Sequence, residues 1–155
     1  MKLQTTILLP LIAPLALAQD YNAVLTSIQA IKSNTTALTT AVNTVTPGLL
    51  GLPSSLQVQV SGVTLSRTLN ASAGTAAASA PFGDDGSRQV AAALADLQGA
   101  VRDSLNATVA KKDAFGDLSP VVLASLYALR QGTEGFGAAV AGKLAGADNV
   151  QQAGQ

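Results

Sequence analysis

Histidine, cysteine and tryptophan are absent from the 155 residues, and glutamate occurs once, at Glu134. Without imidazole or thiol the chain has no neutral-pH base, no sulfur nucleophile and no Cys/His metal site. Charge is scarce as well. Acidic and basic residues make up 12% of the chain and cancel, which removes the electrostatic case for nucleic acid or an anionic membrane. Aromatic side chains amount to 3%, so any core has to be aliphatic and small-residue in character. No cofactor is implied by the sequence.

The carboxylates that remain do not form a convincing site. Asp113 and Asp117 are four apart, and Asp96 and Asp103 are seven apart, spacings that allow an acid–base pair on one face. A solvated helix surface explains them better. Asp84-Asp85-Gly86-Ser87 offers too few spaced oxygens for calcium and reads as a capping segment. The glycines of Gly132-Thr-Glu-Gly-Phe-Gly137 lack the Lys-Ser/Thr and the preceding strand of a phosphate loop. The sequence points away from an enzyme.

What is there begins with a leader. Met1-Lys2, an apolar run from Ile7 to Leu17 and Ala16-Leu17-Ala18 read as a secretory signal peptide over residues 1–18. Pro10 and Pro14, and the shortness of the run, argue against a membrane-spanning helix there. Residues 19–146 then form one domain, and 147–155 a polar, flexible tail without the apolar extension of a lipid-anchor signal, so the protein is expected outside the cell. Small exported domains usually lean on disulfides. Lacking them, this one has to draw its stability from burial, which favours long helices packed together. Sequons at Asn34, Asn70 and Asn106 are candidate N-glycosylation sites.

The stretch YNAVLTSIQAIKSNTTALTTAVNTV carries an apolar residue or Thr at 21, 24, 25, 28, 31, 35, 38, 42 and 45, a helical stripe. Thr, Ser and Asn fill most other positions and are mediocre helix formers, so this helix forms only by burying its stripe. Thr46-Pro47-Gly48 stops it. The next segment, residues 55–80, is ambiguous. Leu56, Val58 and Val60 alternate with polar residues as in a strand. Read as a helix, the segment has Leu56, Val60 and Val63 on one face and Val58, Leu65, Leu69 and Ala76 nearly opposite, the pattern of an interior helix. A third helix has its stripe at Val90, Leu94, Leu97, Val101 and Leu105. The fourth starts at Ser119-Pro120, with Ser119 as cap, and runs through Leu126, Leu129, Phe136 and Val140 to Leu144. Gly132, Gly135 and Gly137 predict a soft middle or two nearly collinear pieces. The fold class is all-α: an elongated antiparallel bundle of four to five helices, roughly 35–40 Å long.

The phrases VLTSIQAIKSNTTALTTAVNTV and KKDAFGDLSPVVLASLYALRQGTEGFGAAVAGKL resemble the fungal hydrophobic surface-binding protein A family, which includes cell-wall galactomannoproteins. The likeness covers nearly the whole chain after the leader and rests on helix order and these phrases. It implies that the second segment is helical and that the protein is secreted or wall-associated. It also implies adsorption to hydrophobic surfaces, or binding of a fatty acid or lipid inside the bundle. A cell-wall polysaccharide or a secreted esterase are further partners in keeping with it. The competing reading is a structural, antigenic wall mannoprotein with no small-molecule ligand. The candidate lining comprises Leu25, Ile28, Leu38 and Val42 on the first helix and Val60 and Val63 on the second. Leu94, Leu97 and Val101 on the third and Leu126, Phe136 and Val140 on the fourth complete it. Arg67, at the end of the Leu56–Val60–Val63 line, is the candidate carboxylate anchor, with Lys32 and Arg130 behind it.

Overall fold

A computed structural model describes residues 21–144. The expected leader and tail lie outside these residues. Four long helices account for the fold: α1 (Tyr21–Asn43), α2 (Leu52–Ala78), α3 (Gly83–Ala110) and α4 (Ser119–Ala141). Two 3-10 turns, Leu49–Gly51 and Lys112–Leu118, lead into α2 and α4. No strand occurs among the described residues, and no helix there is long and apolar enough to cross a membrane.

The stripe of α1 is buried as its spacing dictates. Val24, Ile28, Ile31, Thr35, Leu38, Val42 and Val45 are all in the interior. On α2 the strand-like alternation is overridden by packing: Val58, Leu65, Leu69 and Ala76 are buried at helical spacing against α1 and α4. The opposite line differs from expectation. Leu52, Leu56, Val60 and Val63 are exposed, so α2 is a wall helix with an apolar outer face, not an interior one.

Named contacts fix the directions. Gln89 Nε2 donates to the Tyr21 hydroxyl, Lys32 pairs with Asp96 at 2.5 Å, and Lys111 Nζ donates to the Val45 carbonyl at 3.1 Å. These steps advance along both chains together, so α1 and α3 run parallel. Ser125 donates to Gln59, and Leu69 sits against Gly132, so α2 and α4 are parallel too. Consecutive helices remain antiparallel. α1 packs against α2 and α3, and α2 against α4, whereas α3 and α4 have little close packing between them. The bundle is thus a row, α3–α1–α2–α4, curled toward a ring that is open along one seam. Phe82 in the α2–α3 connection and Phe115 in the α3–α4 connection are buried, placing an aromatic side chain at each end.

Local chemistry departs from the sequence reading at the helix starts. Neither α3 nor α4 has a side-chain cap. Ser119 is the first residue of α4, and its hydroxyl donates backward to the Gly116 carbonyl at 2.6 Å. α3 is tied down through backbone instead, Phe82 N–H donating to the Lys143 carbonyl at 2.9 Å. The glycines of α4 do not interrupt it. Most helical threonines follow one habit: Thr26, Thr35, Thr36, Thr40, Thr64 and Thr133 each donate their hydroxyl to the carbonyl four residues earlier.

Candidate functional site

A cavity of about 430 Å³ lies between the four helices, within the usual range of small-molecule pockets (roughly 300–1,000 Å³). α1 contributes Ile31, Thr35 and Leu38 to its wall, and α2 contributes Leu65 and Leu69. α3 adds Leu97, Val101, Ser104 and Leu105, and α4 adds Leu126, Leu129, Arg130, Thr133, Glu134 and Phe136. The physical origin is the composition: where facing stripes carry Leu, Val and Thr with Phe136 as the one aromatic among the lining residues described, the side chains do not fill the middle. A void of about 20 Å³, large enough for one water, adjoins it at Leu38, Leu126 and Leu129.

The wall is drier than its residue names suggest. The hydroxyls of Thr35 and Thr133 are spent on the carbonyls of Ile31 and Leu129, both at 2.8 Å. Ser104 is buried on the α3 side of the wall. Among the described residues charge enters only at the rim, where exposed Arg130 donates from Nε to Glu134 Oε1 at 2.7 Å. That hydrogen bond and the charge of Glu134 raise the guanidinium above its ordinary pKa.

The sequence-derived lining separates into three groups. Leu38, Leu97, Val101, Leu126 and Phe136 face the cavity. Ile28, Val42 and Val140 are packed into the solid core, with Leu25 and Leu94 half-buried against it. Val60 and Val63 are exposed on the outer face of α2 and do not reach the cavity. Arg67 is likewise exposed and is not part of the wall, because it follows a line of residues that points outward. Lys32 is engaged by Asp96 across the α1–α3 seam. Ile31, Thr35, Leu65, Leu69, Ser104, Leu105, Leu129, Thr133 and Glu134 line the cavity outside the expected set, and Arg130, expected only as a weaker anchor than Arg67, is in the wall. Leu65 and Leu69 had a legible signal, since they belong to the α2 line opposite Val60.

The other motifs are absorbed by structure. Asp96 holds Lys32, and Asp85 pairs with Arg88 in the first turn of α3. No group of three or more His, Cys, Asp or Glu residues suited to a metal occurs among the described residues. Asn34 is half-buried and donates its amide to Thr68 Oγ1 at 2.8 Å, whereas Asn70 and Asn106 are exposed.

Comparison with known proteins agrees with this geometry. Residues 21–142 match the family model of hydrophobic surface binding protein A. Among solved structures, the chain is similar to AfMP4p, determined in complex with palmitic acid. The TM-score is 0.79 at 25% identity, over 86% of this chain and 89% of that one. Comparison with curated protein sequences gives no match.

Proposed function

Because the chain belongs to the hydrophobic surface binding protein A family, we propose that it is a secreted, non-catalytic protein that takes the tail of a long-chain fatty acid into the cavity between its four helices. The observation that carries this reading is the cavity itself, predominantly apolar on every helix and, among the described residues, charged only at Arg130 and Glu134. The structural likeness to a protein solved with palmitic acid supports the same ligand class. Burying a sixteen-carbon chain at ~0.8 kcal/mol per CH₂ gives on the order of 10 kcal/mol before ordering costs, which leaves a dissociation constant of roughly micromolar order. A polysaccharide or an esterase has no counterpart in such a wall, and the proposal is confined to aliphatic ligands.

The test is to fill the space. Leu97 lines the cavity and is nearly buried, so Leu97→Trp adds bulk where there is room for it. Displacement of a fluorescent fatty acid by palmitate should be seen with the wild-type protein and be weakened at least tenfold in the variant, with helicity unchanged. A folded variant that binds as before would place the ligand elsewhere.

A second reading, adsorption to waxy or polyester surfaces, is favoured by a different observation. The exposed line Leu52, Leu56, Val60 and Val63 lies in a stretch, residues 33–66, that contains no charged residue. Such a face loses little on leaving water. Replacing Val60 and Val63 with Asp should lower retention on hydrophobic beads while leaving palmitate binding intact. Retention equal to wild type would remove this reading and leave the cavity as the apolar binding surface.

A further inference from the structure

We propose that the Arg130–Glu134 pair is a head-group selector, which makes the cavity a site for the free carboxylate form of a fatty ligand in preference to its neutral esters. The proposal rests on the fatty-acid reading and deepens it.

The polar equipment of the cavity is unevenly placed. Thr35 and Thr133 have turned their only donors onto their own helices, so neither hydroxyl is offered to a ligand. Among the described residues Arg130 is the one cation in the wall, and its position is at the rim of α4, on the open side of the ring. Its Nε is taken by Glu134, but the two terminal amino groups have no partner among the described residues. They form the edge of a guanidinium that fits a carboxylate side-on. A tail lying against Leu69, Leu97 and Phe136 would carry its head group toward solvent, where the charge keeps most of its hydration and Arg130 waits beside it. Arg67 cannot serve, since α2 turns it to the outside.

Glu134 gives the proposal its sharper consequence. Its carboxylate occupies one side of the same guanidinium and repels an incoming anion, so it acts against the acid it stands next to. Removing each member of the pair should therefore move selectivity in opposite directions. A purely structural ion pair would respond alike to the loss of either partner.

The experiment uses the full mature chain with N-phenyl-1-naphthylamine, an uncharged fluorescent probe, displaced in turn by palmitate and by methyl palmitate at low salt. The readout is the ratio of the two affinities. In the wild type palmitate should be favoured about tenfold, as one charge-assisted contact at an exposed rim implies. Arg130→Gln should bring the ratio to about one, and Glu134→Gln should raise it severalfold. High salt should reduce the wild-type preference. An unchanged ratio in Arg130→Gln, or a fall in Glu134→Gln, would overturn the selector. Failure of both competitors to displace the probe from the wild type would instead overturn the fatty-ligand reading on which it stands.

Discussion

At the scale of single residues, Gly132 and Gly137 show how one helix uses the same amino acid for opposite ends. A Cβ on Gly132 would lie 3.1 Å from the Leu69 Cβ, a tight contact, so any side chain at position 132 presses on Leu69 where α4 meets α2. Gly137 has open space around it. Gly132→Val should destabilise by about 1–3 kcal/mol through overpacking, and by shifting Leu69 should also narrow the cavity. Gly137→Ala should stabilise by roughly 0.5–1 kcal/mol by restoring helix propensity. Urea unfolding of the two variants checks both signs, and equal effects would mean that Leu69 does not constrain the approach. This scale was the least legible in the sequence. Arg67 drew attention because it extends an apolar line, but a line has no inside until a neighbour covers it. Arg130 stood off its own stripe and still reached the rim, because the ring closes incompletely beside it.

Elements were read more successfully, for a reason that can be stated for each. α1 has a single apolar stripe, so only one orientation buries it, and every position of that stripe from Val24 to Val45 except Leu25 became interior. α2 has two, and spacing alone offers no choice between them or between helix and strand. What decided it was the larger set, Val58, Leu65, Leu69 and Ala76, meeting α1 and α4 together. The two faces should therefore respond very differently to charge. Val58→Asp puts a carboxylate at a buried position and should cost on the order of 3–4 kcal/mol or prevent folding. Val60→Asp, two residues away and exposed, should stay within about 0.5 kcal/mol of wild type. Thermal denaturation followed by circular dichroism distinguishes them, and similar losses from both would mean that the outer line of α2 is covered.

For the whole molecule, the sequence implied a bundle but not which helices are neighbours. Short links suggest that consecutive helices pack side by side, whereas α3 crosses to lie along α1 and leaves the α3–α4 seam slack. That slack is what makes room for a ligand, and it concentrates weakness in a definite place. The first half of α4, from Ser119 to Gln131, has no buried residue, and its earliest buried position is Gly132. Amide exchange there should be the fastest of the four helix interiors and should slow when palmitate fills the cavity, since ligand bound only to the folded state adds RT ln(1 + [L]/Kd) to its stability. Exchange spread evenly over α3 and α4, with no change on saturation, would argue that access does not run along this seam. The threonines carry a last consequence. On the outer arcs of α1 and α2, Thr26, Thr36, Thr40 and Thr64 have folded their donors inward onto backbone carbonyls. Each then shows water a methyl group and a spent hydroxyl. A coat that counts as hydrophilic by composition wets more like a short-chain ester than like a sugar, and interfacial water has few donors there to hold it.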